Sequence, residues 1–223
     1  MYEYEQFYNP YTLNIFSDAS MLNEKHQSIG GCYGAIAVTE DRVIESVYKF
    51  AKGATNNNCE IKGLRSALRL ANRYKNNFRV INIFSDSDIS ISGLTTYIHS
   101  WKYVAEEQML YTKTTNKPAA NQEVFIEAFH LLDHMIKSGY NINIYHIKGH
   151  TDNSPNSIQK ATITFCKLNN IPRGVKVDIN LIAYLCTYNN LVDYRSRALL
   201  AAVDFNTQNY QDPISFFATS SID

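Results

Sequence analysis

At 223 residues, with 45% hydrophobic and 19% charged side chains, the chain has room for one domain with elaborations and the composition of an ordinary soluble globular protein. Lysine plus arginine and aspartate plus glutamate number 21 each, which excludes a grip on nucleic acid by overall charge and leaves only local patches. Cys32, Cys59, Cys166 and Cys186 form no Cys-x-x-Cys pair, against a zinc site of the usual kind; with no signal peptide or long apolar run, a reducing, cytoplasmic or otherwise intracellular setting away from membranes is the expectation.

Residues 11–20, YTLNIFSDAS, read as a first strand closing at Asp18, and the polar MLNEKHQSIGG after it reads as a loop. CYGAIAVTE and RVIESVYKF, parted by a charged turn at Asp41, read as a hairpin, and KGATNNN has turn chemistry. CEIKGLRSALRLANRY sets Ile61, Leu64, Leu68 and Ala71 at helical spacing, with Asn57 or Asn58 as N-cap. FRVINIFSD reads as a strand ending at Asp86. ISISGLTTYIHSWKYVAEEQML reads as helical despite Gly93, YTKTTNKPAAN as a loop around Pro118, and QEVFIEAFHLLDHMIKSG as a helix stopping at Gly139. YNINIYHIKGH is a fifth strand running into His150. SIQKATITFCKLNN has Ile158, Ala161, Phe165 and Leu168 near helical spacing before Pro172 and Gly174 break it. DINLIAYLCTYNNLVDYRSRALLAAV reads as a last helix. The order β-β-β-α-β-α-α-β-(insert)-α implies an α/β fold, one mixed sheet with helices packed on it. The expected division is a single domain over 11–205, an insertion at about 151–185 and a polar tail over 206–223.

The chain says nearly the same thing twice, NIFSDAS at 14–20 and NIFSDSD at 82–88. The surroundings of the copies differ, so duplication is the weaker reading. Two parallel neighbouring strands that end in Asp can bring Asp18 and Asp86 to one edge of a sheet. Glu60, in the first turn of a helix, and Asp193, in the last helix, can reach the same place. An Asp at a strand end is by itself more often a turn or cap residue, so the combination carries the argument. Crowded carboxylates repel and resist desolvation, and cations relieve both. Hard oxygen ligands without cysteine select Mg²⁺ or Mn²⁺, and two bridged ions form a clamp suited to in-line displacement at phosphorus. His130 and His134 stand at i, i+4 but lack the His-Glu-x-x-His form, and read as core or surface histidines.

In these segments the chain resembles type 1 ribonuclease H. SDAS resembles the family's Asp-Gly-Ser element, with Ala19 for glycine, and GGCYGAIAV its second strand. ATNNNCEIKGLRSALRLA is similar to its Thr-Asn-Asn-x-x-Glu element and first helix. NIFSDSDISISGLTTYIHSWK resembles its third carboxylate strand and the helix beyond, NINIYHIKGH its Lys-Gly-His loop, and NNLVDYRSRAL its final Asn-x-x-x-Asp segment. The resemblance implies a ribonuclease H-like fold with a five-stranded mixed sheet and a helical insertion before the last helix. It implies endonucleolytic cleavage of the RNA strand of an RNA·DNA hybrid. Asp18, Glu60, Asp86 and Asp193 would hold two Mg²⁺ ions, with Mn²⁺ as a substitute. One ion would activate water and the other would stabilise the leaving 3′-oxygen. His150 would assist proton movement or product release, its plain alternative being an exposed loop residue. Asn56 and Asn57 would touch the RNA strand in the minor groove, Thr55 a DNA phosphate, and Tyr97 with Trp101 would line the DNA groove. The plain alternatives are turn residues for the asparagines and core packing for Tyr97 and Trp101. Lys62, Arg65, Arg69 and Arg73 make a basic stripe that either meets phosphates or is a solvated helix face.

The chain departs from the family pattern in four places. The loop after Asp18 lacks the Gly/Pro-rich run; Asp88 stands where glutamine is common; the basic protrusion is diluted by Glu106, Glu107, Glu123 and Glu127; and the gap from His150 to Asp193 is long. The insertion in that gap is expected to restrict the mouth of the site or bind a partner, and it suggests a viral or phage source. QDPISFF, Gln211 to Phe217, resembles the short peptide that docks on bacterial-type sliding clamps, against a tail that packs its phenylalanines on the domain. A monomer is expected. A catalytically silent nucleic-acid-binding module and another nuclease of the same superfamily are the competing readings. Four mutually repelling acids argue against the first, and the Thr-Asn-Asn and Lys-Gly-His elements against the second.

Overall fold

The computed structural model describes residues 1–24 and 27–203. A five-stranded sheet runs in the order β3-β2-β1-β4-β7. Its strands are β1 (Thr12–Glu24), β2 (Gln27–Thr39), β3 (Arg42–Lys52), β4 (Val80–Ser85) and β7 (Asn141–His146). β1, β2 and β3 pair antiparallel, while β4 is parallel to both β1 and β7. The helices are α1 (Tyr4–Phe7), α2 (Asn56–Tyr74), α3 (Asp88–Thr95), α4 (Gln122–Lys137), α5 (Pro155–Leu168) and α6 (Ile179–Ala201). The small strands β5 (Lys102–Val104) and β6 (Met109–Tyr111) form a separate hairpin. No helix among the described residues is long and apolar enough to cross a membrane.

Period-two alternation divides the core. Leu13, Ile15, Ile81 and Ile83 face α2 and α4 on one side of the sheet. Phe16 and Phe84 face α5 and α6 on the other, among Phe165, Leu181, Leu185 and Tyr188. Burial of each such aliphatic or aromatic side chain contributes roughly 1.5–3 kcal/mol of transfer free energy. α2 buries Ile61, Leu64, Leu68 and Ala71, the residues that its sequence spacing selects.

The repeated pattern is a matter of register and has a third member. Asn14 pairs with Asn82 and Asn82 with Asn143 across β1, β4 and β7; Phe16, Phe84 and Tyr145 pair likewise. The asparagine row is a hydrogen-bonded ladder: Asn82 donates to Asn14 Oδ1 at 3.0 Å, and Asn143 donates to Asn82 Oδ1 at 3.1 Å. Asn14 itself donates to the Phe7 carbonyl at 2.7 Å and to the Tyr184 hydroxyl at 3.1 Å. Two residues on, the rings stack, Phe16 on Phe84 at 4.9 Å and Phe84 on Tyr145 at 5.3 Å.

Several expectations change. MLNEKHQSIGG is no simple loop, because β1 extends to Glu24 and β2 starts at Gln27. Gly31 serves close packing instead of a turn: a Cβ there would lie 2.7 Å from Cys59 Sγ. α2 is capped by Thr55, whose hydroxyl accepts from the Asn58 N–H, so the asparagines after it are helical. The long helix expected after residue 88 stops at Thr95; a 3₁₀ turn (Tyr97–Ser100) and the β5–β6 hairpin follow. Gly93 is the contact point there, since a Cβ would lie 2.3 Å from the Phe125 ring. The gap after His150 holds α5, which buries Ile158, Ala161 and Phe165, and the last helix starts at Ile179. Near the start of the chain Phe7 is 4% exposed, and Tyr2 bridges to Val177. The Gln211–Phe217 segment and the tail reading lie outside the described residues.

Candidate active site

Asp18 lies in β1 opposite Gly34 of β2, and Asp86 follows the last residue of the parallel neighbour β4. Glu60 enters from the first turns of α2, which can press against β1 because residue 63 is glycine: a Cβ there would sit 3.1 Å from the Asp18 carbonyl oxygen. Carboxylate oxygens of Asp18, Glu60 and Asp86 all lie within 4.8 Å of one another. Asp18 is 4% exposed, and Glu60 Oε2 is buried without a hydrogen-bond partner.

Burial is the largest cause raising all three acids. It pushes Asp18 up to about 9, with Asp86 and Glu60 adding repulsion, while the Ala19 N–H at 2.7 Å opposes it. Glu60 is pushed up to about 8 by burial and then by Asp86 and Asp193, against a hydrogen bond from Asn56. Asp86 is raised by burial, and the Asn189 amide pulls it down. Asn189 is 1% exposed, and neither of its amide atoms has a hydrogen bond of good geometry, so its effect on Asp86 is one of orientation and proximity. Only the Asn-x-x-x-Asp spacing to Asp193 marks Asn189 in the sequence. Three acids with an orphaned oxygen form a donor set suited to a hard divalent cation.

Asp193, on α6, is not among the three acids whose oxygens gather, but its charge raises both Asp18 and Glu60. It is engaged by Arg197, whose Nε donates to Oδ1 at 2.7 Å and whose Nη2 meets Oδ2. His150 stands over the same pair, its Nδ1 3.0 Å from Arg197 Nη2 and 3.4 Å from Asp193 Oδ2, in a loop where it takes the left-handed φ of 49°. Gly149 lies so close to Asp86 that a Cβ would meet Oδ2 at 2.0 Å, so the Lys-Gly-His order has a steric reason.

Three of the five candidate substrate residues, Asn57, Tyr97 and Trp101, line a cleft of about 470 Å³ together with Lys113 and Asn121 among others, while Thr55 and Asn56 do not. Tyr97 and Trp101 do not share a helix face as their spacing predicts: Tyr97 is in the 3₁₀ turn and Trp101 follows it in extended backbone, packed on Phe125 at 5.4 Å. Both still line the cleft. Thr55 is occupied as a cap, Asn56 and Asn57 are exposed, and Asn58 donates to Asn121 Oδ1 at 2.7 Å. The three arginines of the basic stripe of α2 are paired within the protein itself. Arg65 and Arg69 pair with Glu127 of α4, and Arg73 pairs with the buried Glu45 of β3. Asp88 turns to His146 Nδ1 at 3.8 Å and accepts from Ser92 at 3.1 Å.

The RNase H family model matches residues 10–160, a span that holds Asp18, Glu60, Asp86 and His150 and stops short of Asp193. A ribonuclease H of Schizosaccharomyces pombe is 28% identical over 138 residues, 61% of this chain and 46% of that protein. One of Rickettsia massiliae is 29% identical over 126 residues, 56% of this chain and 73% of that protein. Against the fission-yeast relative the chain therefore spans about half the length. Among solved structures, a foamy viral protease–reverse transcriptase with an RNA/DNA hybrid aligns at TM-score 0.48 and 16% identity, over 71% of this chain and 19% of that one. RNase H1 of Halobacterium salinarum aligns at TM-score 0.40 and 15% identity, over 72% of this chain and 99% of that one.

Proposed function

This chain belongs to the ribonuclease H family, and on that premise we propose that it hydrolyses the RNA strand of RNA·DNA hybrids with divalent metal ions at Asp18, Glu60, Asp86 and Asp193. The observation that carries the reading is the cluster of Asp18, Glu60 and Asp86 oxygens within 4.8 Å, raised in pKa and incompletely satisfied. A protein gains nothing in stability from such a group, and a pair of Mg²⁺ ions relieves its repulsion. When bound, the ions supply Lewis acidity and a water of lowered pKa at neutral pH.

The rest of the chemistry belongs to the chain. Asp18 and Asp86 are held rigidly because adjacent paired strands deliver them. Asp193 would be the fourth carboxylate to hold the metal, and Arg197, which donates to it, is a cation at hand for a phosphate oxygen. His150, 70% exposed in its side chain, can take a proton at the imidazole and hand it to solvent or the leaving group. Asn56 and Asn57 present amides to the RNA strand, where 2′-hydroxyls distinguish RNA from DNA. The aromatic cleft of Tyr97 and Trp101 suits the deoxyribose of the other strand, with Thr55 beside it at the helix N-terminus for a phosphate.

The test is cleavage of end-labelled RNA·DNA hybrid, double-stranded RNA and double-stranded DNA of one sequence, each with Mg²⁺ and with Mn²⁺. Cutting confined to the hybrid's RNA strand and lost in Asp86→Asn supports the reading. Cutting of another duplex moves the protein to a different nuclease class. Hybrid binding without any cutting leaves a binding module.

A further inference from the structure

Among the described residues β7 is an edge strand, so its outward N–H and C=O groups have no strand there to pair with. At His146, its last residue, both outward groups are taken by one side chain. Asn169 Oδ1 accepts from the His146 N–H at 2.9 Å, and Asn169 Nδ2 donates to the His146 carbonyl at 2.7 Å. This is the bonding that a neighbouring strand would offer, supplied by the C-cap residue of α5. Asn169 is held in turn: its Nδ2 also donates to the Phe165 carbonyl at 2.9 Å, and Phe165, 1% exposed, packs against Tyr145 at 5.9 Å and Tyr2 at 6.1 Å.

His146 is where β7 hands the chain to the His150 loop. Its inward side is also fixed, with the ring Nε2 3.2 Å from the Asp86 carbonyl oxygen and the next residue's N–H donating to the Ser85 carbonyl at 3.0 Å. Gly149 then abuts the Asp86 carboxylate, and Asn190 of α6 donates to the Thr151 carbonyl at 2.6 Å where the loop ends. The inserted segment thus returns to the strand from which the loop departs and closes it into a ring through Asn169.

We propose that Asn169 is a positioning residue for hybrid cleavage, setting the backbone at His146 and through it the stance of His150 over Asp193. On this inference, which rests on the proposed function, α5 serves the reaction by holding the histidine loop instead of narrowing the mouth of the site. Misplacing a reacting group by about 1 Å costs up to about a hundredfold in rate, and a softened loop costs less.

The experiment compares the full chain with Asn169→Ala, His150→Ala and the double variant. It measures kcat and KM on the hybrid together with peptide-level amide exchange. Asn169→Ala is expected to lower kcat about tenfold with KM within about twofold, and to cost less than about twofold more in the His150→Ala background, because effects that act through one group do not add. Exchange is expected to quicken over residues 146–151 and to stay unchanged in β4. The same tenfold loss without His150, or unchanged kcat with quickened exchange, overturns the inference and leaves Asn169 as an edge cover. Unchanged exchange overturns it whatever the kinetics. Should Asn169→Ala fail to fold, Asn169→Asp keeps the acceptor for the His146 N–H and is held to the same masking by His150→Ala. A parent protein that does not cut the hybrid defeats the proposed function, and the exchange arm still decides whether Asn169 holds the loop.

Discussion

The two ends of one sequence pattern behave in opposite ways. At the asparagine end of Asn-Ile-Phe-Ser-Asp, the Asn14, Asn82 and Asn143 amides are passed from strand to strand, each donor meeting an acceptor. At the aspartate end, only a few residues further along the same strands, carboxylates crowd together and Glu60 Oε2 has no partner. A satisfied polar row in the core specifies register, whereas an unsatisfied one is a standing cost that a ligand can relieve. The same parallel pairing of β1 and β4 builds both, so the stability of the ladder holds the repelling acids together.

The largest effect should come from the acid end. Asp86→Asn is expected to lower hybrid cleavage by roughly 10²–10³-fold or more while the urea unfolding midpoint holds or rises. A fall in stability would mean that this end is structural after all. Next, Asn82→Ala removes the middle rung and strands the buried Asn14 acceptor, while Asn143 keeps its bond to Asn141, at an expected cost of about 1–3 kcal/mol in unfolding free energy with kcat within about threefold. An unchanged midpoint would deny the ladder its role.

The metal-free protein should also lose stability as pH rises. Native Asp18 and Glu60 hold their protons up to about 9 and about 8, whereas in the unfolded chain they release them near 3.8 and 4.5. Between those limits the native state binds more protons, so stability falls from about pH 4 to about pH 9 and levels off above. Melting curves in chelator should show that slope, Mg²⁺ should flatten it, and Asp18→Asn should raise Tm at pH 8 by about 2–4 °C for each kcal/mol of protonation penalty removed. A flat profile in chelator would sink the idea of a frustrated acid group. The smallest effect concerns the basic stripe. Arg69→Ala breaks a partly exposed pair with Glu127 and should cost less than about 1 kcal/mol, with hybrid affinity within about twofold. A large affinity loss would return Arg69 to the nucleic-acid surface.

Much of this was legible in the residues. Apolar alternation identifies the strands, helical spacing in α2 identifies its buried face, and Ser-Asp at two strand ends with Glu60 between them identifies the acid group. The misreadings share a cause. The paired glycines before Cys32 look like a turn, but the second of them, Gly31, makes room for Cys59. The run from Ile89 to Leu110 has helical composition but stays helical only to Thr95, past Gly93 on Phe125, before the 3₁₀ turn and the pairing of β5 with β6. Arg65, Arg69 and Arg73 look like a face for phosphates until Glu127 and Glu45 arrive from distant elements.

The sequence by itself determined the order of the five sheet strands and the buried face of α2, because these follow from spacing within a few residues along the chain, and it singled out the acids by family resemblance, three of which packing brings together. Tertiary structure alone decided that the asparagines of three strands share one register, that the arginines of the basic stripe meet carboxylates of the same chain, and that Asn169 bonds the backbone of His146 from 23 residues away. Those depend on which groups meet when separate elements pack, and a hydrogen bond or an ion pair a few ångströms long leaves no trace in local periodicity.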